Sequence, residues 1–157
     1  MKLDIGCGKR KKEGFVGIDS FDWSNIYSDK EFICGKVPEI FSKFKDNSIE
    51  KVFAKHFIEH IPQNLVIETF NEIYRILISG GIFEIYLPPT SSPDGKACRY
   101  AFCDPTHRSY WNDLSFRYFD MSCNRELSES YGIKCNFKPI KIQFINEINL
   151  HVILKKI

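Results

Sequence analysis

No apolar run in this chain approaches the length of a bilayer, so a membrane-spanning helix is not expected. A signal peptide is not expected either, because Lys2 is followed at once by a charged, glycine-containing strand. The chain reads as cytoplasmic, with no membrane partner. Internal repeats, low-complexity tracts and linkers are missing, which leaves a single domain over residues 1–157. Charge of one sign is also scarce. A net +2 gives no bulk electrostatic case for nucleic acid. What is present is a globular core: 43% hydrophobic residues exclude general disorder, and 14 Phe make that core aromatic. Six cysteines at 7, 34, 98, 103, 123 and 135 are read as reduced thiols, since nothing else suggests secretion.

The stretch Leu3-Asp4-Ile5-Gly6-Cys7-Gly8 organises the rest. An apolar strand runs into a glycine turn whose backbone another molecule can approach closely. Such a turn sits at the carboxyl edge of a parallel sheet, where nucleotide-sized ligands bind. Asp19 ends a second apolar run, Phe15-Val16-Gly17-Ile18, and is placed to accept hydrogen bonds from a ribose. The dinucleotide fingerprint is not met. Lys11 stands where its third glycine belongs, and Lys9 to Gly14 are too few for a stable helix between the strands. Lys9-Arg10-Lys11-Lys12 is either a solvated loop or an attractor for an anionic substrate across the site's mouth.

Further strands are expected at 32–34, 49–54 and 82–87. A small helix is expected from Pro38 to Phe44, and a longer one from a cap at Asn64 to about Leu77, stopped by Ser79-Gly80-Gly81. Alternation at Ile140, Ile142 and Phe144, then at Ile148, Leu150, Val152 and Leu154, gives an antiparallel hairpin turning at Asn146-Glu147. The fold class is therefore α/β, a mostly parallel sheet finished by a C-terminal antiparallel hairpin, with the first helix missing or very short.

Two stretches carry candidate chemistry. His56, Glu59 and His60, spaced i, i+3 and i+4 after the fourth strand, would share a face of a helical turn as a metal cluster or an acid/base pair; the metal reading is disfavoured because no third protein ligand lies close in sequence, and His60 is a candidate base. The loop 88–112 is too long to be a mere connection. It holds Asp104 and His107, the best candidate acid/base pair. Arg99, Arg108, Tyr110 and Trp111 in the same loop are candidates to line an acceptor pocket, the rings by stacking or by facing a cation. Asn112 or Asp113 can cap a following helix through Phe119. Metal binding is not expected: the spacing of Cys98, Cys103, His107 and Cys123 is looser than that of usual zinc pairs.

The glycine turn, the block Asp46 to Pro62, the Arg75-Ile-Leu-Ile-Ser-Gly-Gly81 segment and the Asp104-Pro-Thr-His…Trp-Asn…Ser-Phe loop stand in one order. In that order they resemble class I S-adenosylmethionine-dependent methyltransferases, in particular small members with a shortened first crossover. The resemblance implies a Rossmann-like seven-stranded sheet whose seventh strand inserts between the fifth and sixth. It implies S-adenosylmethionine as cofactor, with Gly6, Cys7 and Gly8 at its methionine end and Asp4 supporting the turn. Asp19 and Ser20 would hold the ribose, and backbone near Val37 the adenine. Lys55 and His56 would flank the methyl group. The family's adenine-binding acid has no counterpart in Cys34-Gly35-Lys36-Val37. The acceptor stays open between a small molecule, a sugar or a nucleotide, with an anionic one favoured by the basic loop. A second copy of the chain could complete the site as a homodimer. The rival readings are a non-catalytic binding subunit of the same fold and another nucleotide-binding enzyme.

Overall fold

The computed structural model describes residues 1–146 and 148–157, and every side chain among them except that of Asn124. Strands β1 (Lys2–Ile5), β2 (Val16–Asp19), β3 (Phe32–Cys34), β4 (Ile49–Lys55), β5 (Leu77–Leu87), β6 (Phe137–Asn146) and β7 (Asn149–Lys156) form one sheet in the order β3-β2-β1-β4-β5-β7-β6. The pairs from β3 to β5 are parallel, and β7 runs antiparallel to both β5 and β6. This is the expected sheet, including the insertion of the last strand. The expected turn at Asn146-Glu147 includes Glu147, which lies outside the described residues.

The helices are α1 (Val66–Ile76), α2 (Tyr100–Cys103) and α3 (Met121–Ser130), with short 3-10 turns at Glu39–Lys43, Ile58–His60, Gln63–Leu65 and Asp113–Phe119. The apolar stripe Val66, Phe70, Ile73 and Ile76 of α1 buries against Leu3, Ile5, Val52, Phe83 and Ile85 of the sheet. Asn64 is not its cap: the helix starts behind a 3-10 turn with Leu65 at the capping position. The glycines at 80 and 81 do not stop it either. The chain leaves the helix at Leu77, and Ser79-Gly80-Gly81 makes a bulge inside β5, where Leu77 pairs with Ile49 and Ile82 with Lys51. The backbone need is the same, a left-handed residue at Gly80 (φ +74), but a strand meets it. Asn112 caps the turn at Asp113–Phe119 in a capping box with Ser115.

The connections from β1 to β2 and from β2 to β3 contain no helix. One sheet face therefore carries the helices, and the loop after β1 covers part of the other. Across that second face run Gly17, Asp4, Phe53, Glu84 and Ile153, paired strand to strand. Lys11 and Lys12 fold back over it. Lys11 Nζ donates to Phe15 O at 3.0 Å, and Lys12 Nζ sits 3.9 Å from the centre of the Phe53 ring. Their long stems cover apolar surface, with the Lys11 side chain nearly buried and that of Lys12 partly exposed. This corrects the expectation for the basic run, because two of its four charges belong to the sheet face and only Lys9 and Arg10 remain as solvent-facing cations.

Glu84 is nearly buried in that face. Lys51 Nζ lies 2.6 Å from one oxygen, and His151 Nε2 lies 3.1 Å from the other. Burial pushes the Glu84 carboxyl up, but Lys51, Lys12 and His151 together outweigh it and hold it below the usual range. His151 is itself held down, chiefly by burial. A depressed carboxyl pKa gives stability that is present above the unfolded value, about 4.3, and is lost as pH falls through the folded value. The neutral His151 acts in the same direction below about pH 6.5. The expected result is a urea midpoint that falls between pH 7 and pH 4. Glu84→Gln should lower the unfolding free energy at pH 7 by about 2 kcal/mol and flatten this acid slope.

Candidate functional site

At the carboxyl edge of β1, Gly6 donates its N–H to Ile18 O at 2.8 Å, and the chain turns through Cys7 and Gly8. Asp4 is buried and accepts the Lys12 N–H at 2.6 Å, tying the loop to the end of β1. Its carboxyl is raised, first by burial. Asp19 accepts the Gly8 N–H at 2.9 Å through one oxygen and the Phe21 N–H at 2.9 Å through the other. Each oxygen keeps a second lone pair for a hydroxyl donor. The Cys7 side chain faces Gly17 across the sheet, and burial, then the charges of Asp4 and Asp19, push its thiol up to about 12. It is no nucleophile at neutral pH.

A cleft of about 360 Å³ opens beside this turn. The end of β2 gives it Asp19 and Ser20, the end of β3 gives Gly35 to Val37, and the segment after β4 gives Phe57, His60, Ile61 and Pro62. That volume suits a nucleoside-sized ligand, and its place at the strand ends beside the central β1 is the usual one for open α/β sheets. Of the expected cofactor residues, Asp19, Ser20 and Val37 line the cleft. Lys55 and His56 do not; both are exposed at the end of β4, with His56 in a left-handed conformation (φ +51). Gly6 touches Phe57 instead of the opening, since a Cβ there would lie 2.1 Å from the ring.

Two lining residues escaped the sequence reading. Glu39 opens the turn after β3 and supplies an acid on the β3 side of the cleft. Phe57 roofs the glycine turn. Glu39 lies two residues beyond Val37, inside the turn and not at the strand end where site residues are expected, and Phe57 is one of 14 Phe with no distinguishing sequence signal.

The 88–112 segment is better ordered than a free loop. Thr90 N donates to Trp111 O at 2.7 Å and Cys98 N to Thr90 O at 2.9 Å. Arg108 and Ser109 both donate their N–H groups to Glu59 O, at 2.7 and 3.0 Å. This clamp brings His60, Asp104 and His107 together from two distant stretches. The rings of His60 and His107 are 5.0 Å apart, and His107 Nε2 is 3.9 Å from Asp104 Oδ2. Asp104 Oδ1 accepts from Thr106 Oγ1 at 2.6 Å and Thr106 N at 2.8 Å, which hold its carboxyl below the usual range. Asp104 is thus held in its ionised form as a turn-former.

The four acceptor-side candidates separate. Arg108 lines the cleft. Arg99 lines a different surface hollow with Tyr100, and Tyr110 stacks on Phe102 at 5.2 Å. Trp111 departs from its expected place: only 5% exposed, it stacks on Phe70 and Phe116, and its Nε1 donates to Ser109 Oγ at 2.9 Å. Its large apolar ring gains more from the core than from an open wall. Among the described residues the cysteines form no disulfide, and Cys98, Cys103 and Cys123 form no metal-ligand cluster with His107. No helix among those residues is long and apolar enough to cross a membrane.

Residues 19–85 match the family model for a methyltransferase domain. No curated protein matches the chain in sequence. Among solved structures, a SAM-dependent methyltransferase from Archaeoglobus fulgidus superposes with a TM-score of 0.67 at 17% identity, over 99% of this chain and 85% of that one. A complex between the Haloferax volcanii Trm112 methyltransferase activator and a proposed methyltransferase gives 0.61 at 15%, over 99% and 81%. The Burkholderia thailandensis 1,6-didemethyltoxoflavin-N1-methyltransferase, solved with its substrate and S-adenosylhomocysteine, gives 0.61 at 12%, over 99% and 70%. With its β3-β2-β1-β4-β5-β7-β6 sheet and a methyltransferase-domain match from Asp19 into β5, this chain has the class I S-adenosylmethionine-dependent methyltransferase fold.

Proposed function

We propose that the chain binds S-adenosylmethionine in the cleft and transfers its methyl group to an acceptor that approaches past Arg108. The observation that carries this reading is Asp19, held by the glycine turn and by Phe21 at the rim of a nucleoside-sized cleft. Its carboxylate takes the ribose hydroxyls, Glu39 and the backbone at Val37 face the adenine, and the glycine turn takes the methionine end. The bound S-adenosylhomocysteine of the Burkholderia thailandensis structure supports this choice of cofactor.

Methyl transfer from a sulfonium is an in-line displacement. The acceptor's lone pair forms the new bond to carbon as the carbon–sulfur bond breaks, and the pair returns to sulfur. Alignment within about 3–3.5 Å supplies most of the rate. A protic acceptor must also lose a proton, and His60 at the cleft, with His107 behind it, is placed to take it. The expected result for His107→Ala is a loss of about 100-fold or more in labelled-methyl transfer across an acceptor panel, with cofactor affinity retained. Asp104→Ala should lose less, because that carboxylate positions Thr106 and His107 without leaving its ionised form. Equal transfer by wild type and both variants would remove these residues from the reaction.

A second reading, a non-catalytic binding subunit, draws on the sheet face that carries no helix and on the activator complex of the Haloferax volcanii relative. Saturable cofactor uptake with no transfer to any acceptor favours it. A calorimetric titration with NAD that matches the one with S-adenosylmethionine would instead favour a different nucleotide enzyme.

A further inference from the structure

Glu59 is 2% exposed, yet neither of its carboxylate oxygens has a hydrogen-bond partner. His56 Nδ1 lies 3.3 Å from one of them, but without hydrogen-bond angles. A buried carboxylate without hydrogen bonds is unfavourable unless a cation compensates it. Ligand atoms of Glu59, His60 and His107 all lie within 4.8 Å of one another. Two imidazoles and one carboxylate around a point are a donor set for a divalent first-row transition metal. Ligand bonds of about 2.0–2.2 Å place donors at most about 4.4 Å apart, so small side-chain rotations close the cluster.

The hydrogen bonds around the two imidazoles set the ring states such an ion needs. His107 Nδ1 faces Ala101 O at 2.8 Å, and a carbonyl can only accept, so Nδ1 carries the proton. His60 Nδ1 faces Thr106 O at 3.3 Å and Thr106 Oγ1 at 3.1 Å; that hydroxyl already donates to Asp104. His60 Nδ1 therefore also carries the proton. In both neutral rings the Nε2 lone pair is left for a ligand, with the other nitrogen oriented by backbone, as metal-binding histidines usually are.

We propose that Glu59, His60 and His107 form a binding site for a divalent transition-metal ion, joining the turn after β4 to the 100–112 segment. Three protein ligands leave coordination positions open, as in catalytic sites. His60 also lines the cleft, so those positions meet an oxygen or nitrogen of the acceptor. This acceptor role rests on the methyltransferase reading, and with the ion bound it replaces His60 as the base, because the Nε2 lone pair is then taken; uptake of the ion does not rest on that reading.

The test uses Co2+ with the full chain, in a Cys34→Ser, Cys103→Ser, Cys123→Ser background that removes the exposed thiols. The expected result is one Co2+ per chain by calorimetry, with d–d absorption bands and no thiolate-to-cobalt charge transfer. Glu59→Gln, His60→Ala and His107→Ala should each weaken uptake at least tenfold while remaining folded by circular dichroism. The site is overturned if the folded protein takes up no Co2+ below millimolar concentration, if a thiolate band appears, or if folded Glu59→Gln binds undiminished. Protein that binds S-adenosylmethionine but not Co2+ overturns this site alone. Protein that binds Co2+ but not S-adenosylmethionine keeps the site and overturns the cofactor reading.

Discussion

Gly6→Ala is expected to destabilise the fold by about 3 kcal/mol, against about 1 kcal/mol for Gly8→Ala two residues away. Both glycines have positive φ, +68 and +52, so both substitutions pay for a left-handed alanine. They differ in what a Cβ meets. At Gly6 it would lie 2.1, 2.4 and 2.7 Å from Cδ2, Cγ and Cβ of Phe57, whereas at Gly8 nothing lies within 4 Å. The near atoms at Gly6 include Phe57 Cβ, which moves only with the backbone leading into the 58–60 turn. That turn carries Glu59 and His60 and receives the N–H groups of Arg108 and Ser109. Strain at Gly6 therefore reaches both the glycine turn and the clamp that holds the 88–112 segment. Urea denaturation of the two variants gives the comparison, and equal midpoints would refute the close approach of Phe57.

Asp19→Ala is expected to weaken S-adenosylmethionine binding by about 100-fold, the loss of two charge-assisted hydrogen bonds from ribose hydroxyls less partial replacement by water. It also frees the Gly8 and Phe21 N–H groups, so the turn loosens. Asp19→Asn separates these effects. It keeps one acceptor oxygen without the charge and should fall between wild type and Asp19→Ala. An affinity unchanged in folded Asp19→Ala would place the ribose elsewhere. Glu39 would then be the remaining carboxylate lining the cleft.

Local pattern made the strands legible. Period-two alternation gave the hairpin, the apolar runs gave β1, β2, β4 and β5, and the seven residues between Gly8 and β2 left no room for a stable helix. The carboxylate at the end of β2 was legible for the same reason, because strand ends are where site residues stand. What failed to show were choices made by tertiary packing. Lys11 and Lys12 look like a solvated run, yet with no helix after β1 their stems cover the open sheet face. Gly80-Gly81 serves a helix stop or a strand bulge equally well, and the pairing of Lys51 with Ile82 decides between them. Trp111 sits in a loop by sequence and in the core by structure, because the capped turn at 113–119 brings Phe116 and Phe119 against it. The cluster of Glu59, His60 and His107 spans 48 residues, and no spacing rule reaches across the 88–112 segment that closes it.

The central claim is that the cleft beside Asp19 is a donor site, and calorimetric titration of the folded wild-type chain with S-adenosylmethionine tests it most directly. The expected isotherm saturates at one molecule per chain, and NAD gives no comparable heat. A flat isotherm at millimolar S-adenosylmethionine, from protein shown to be folded, would contradict it.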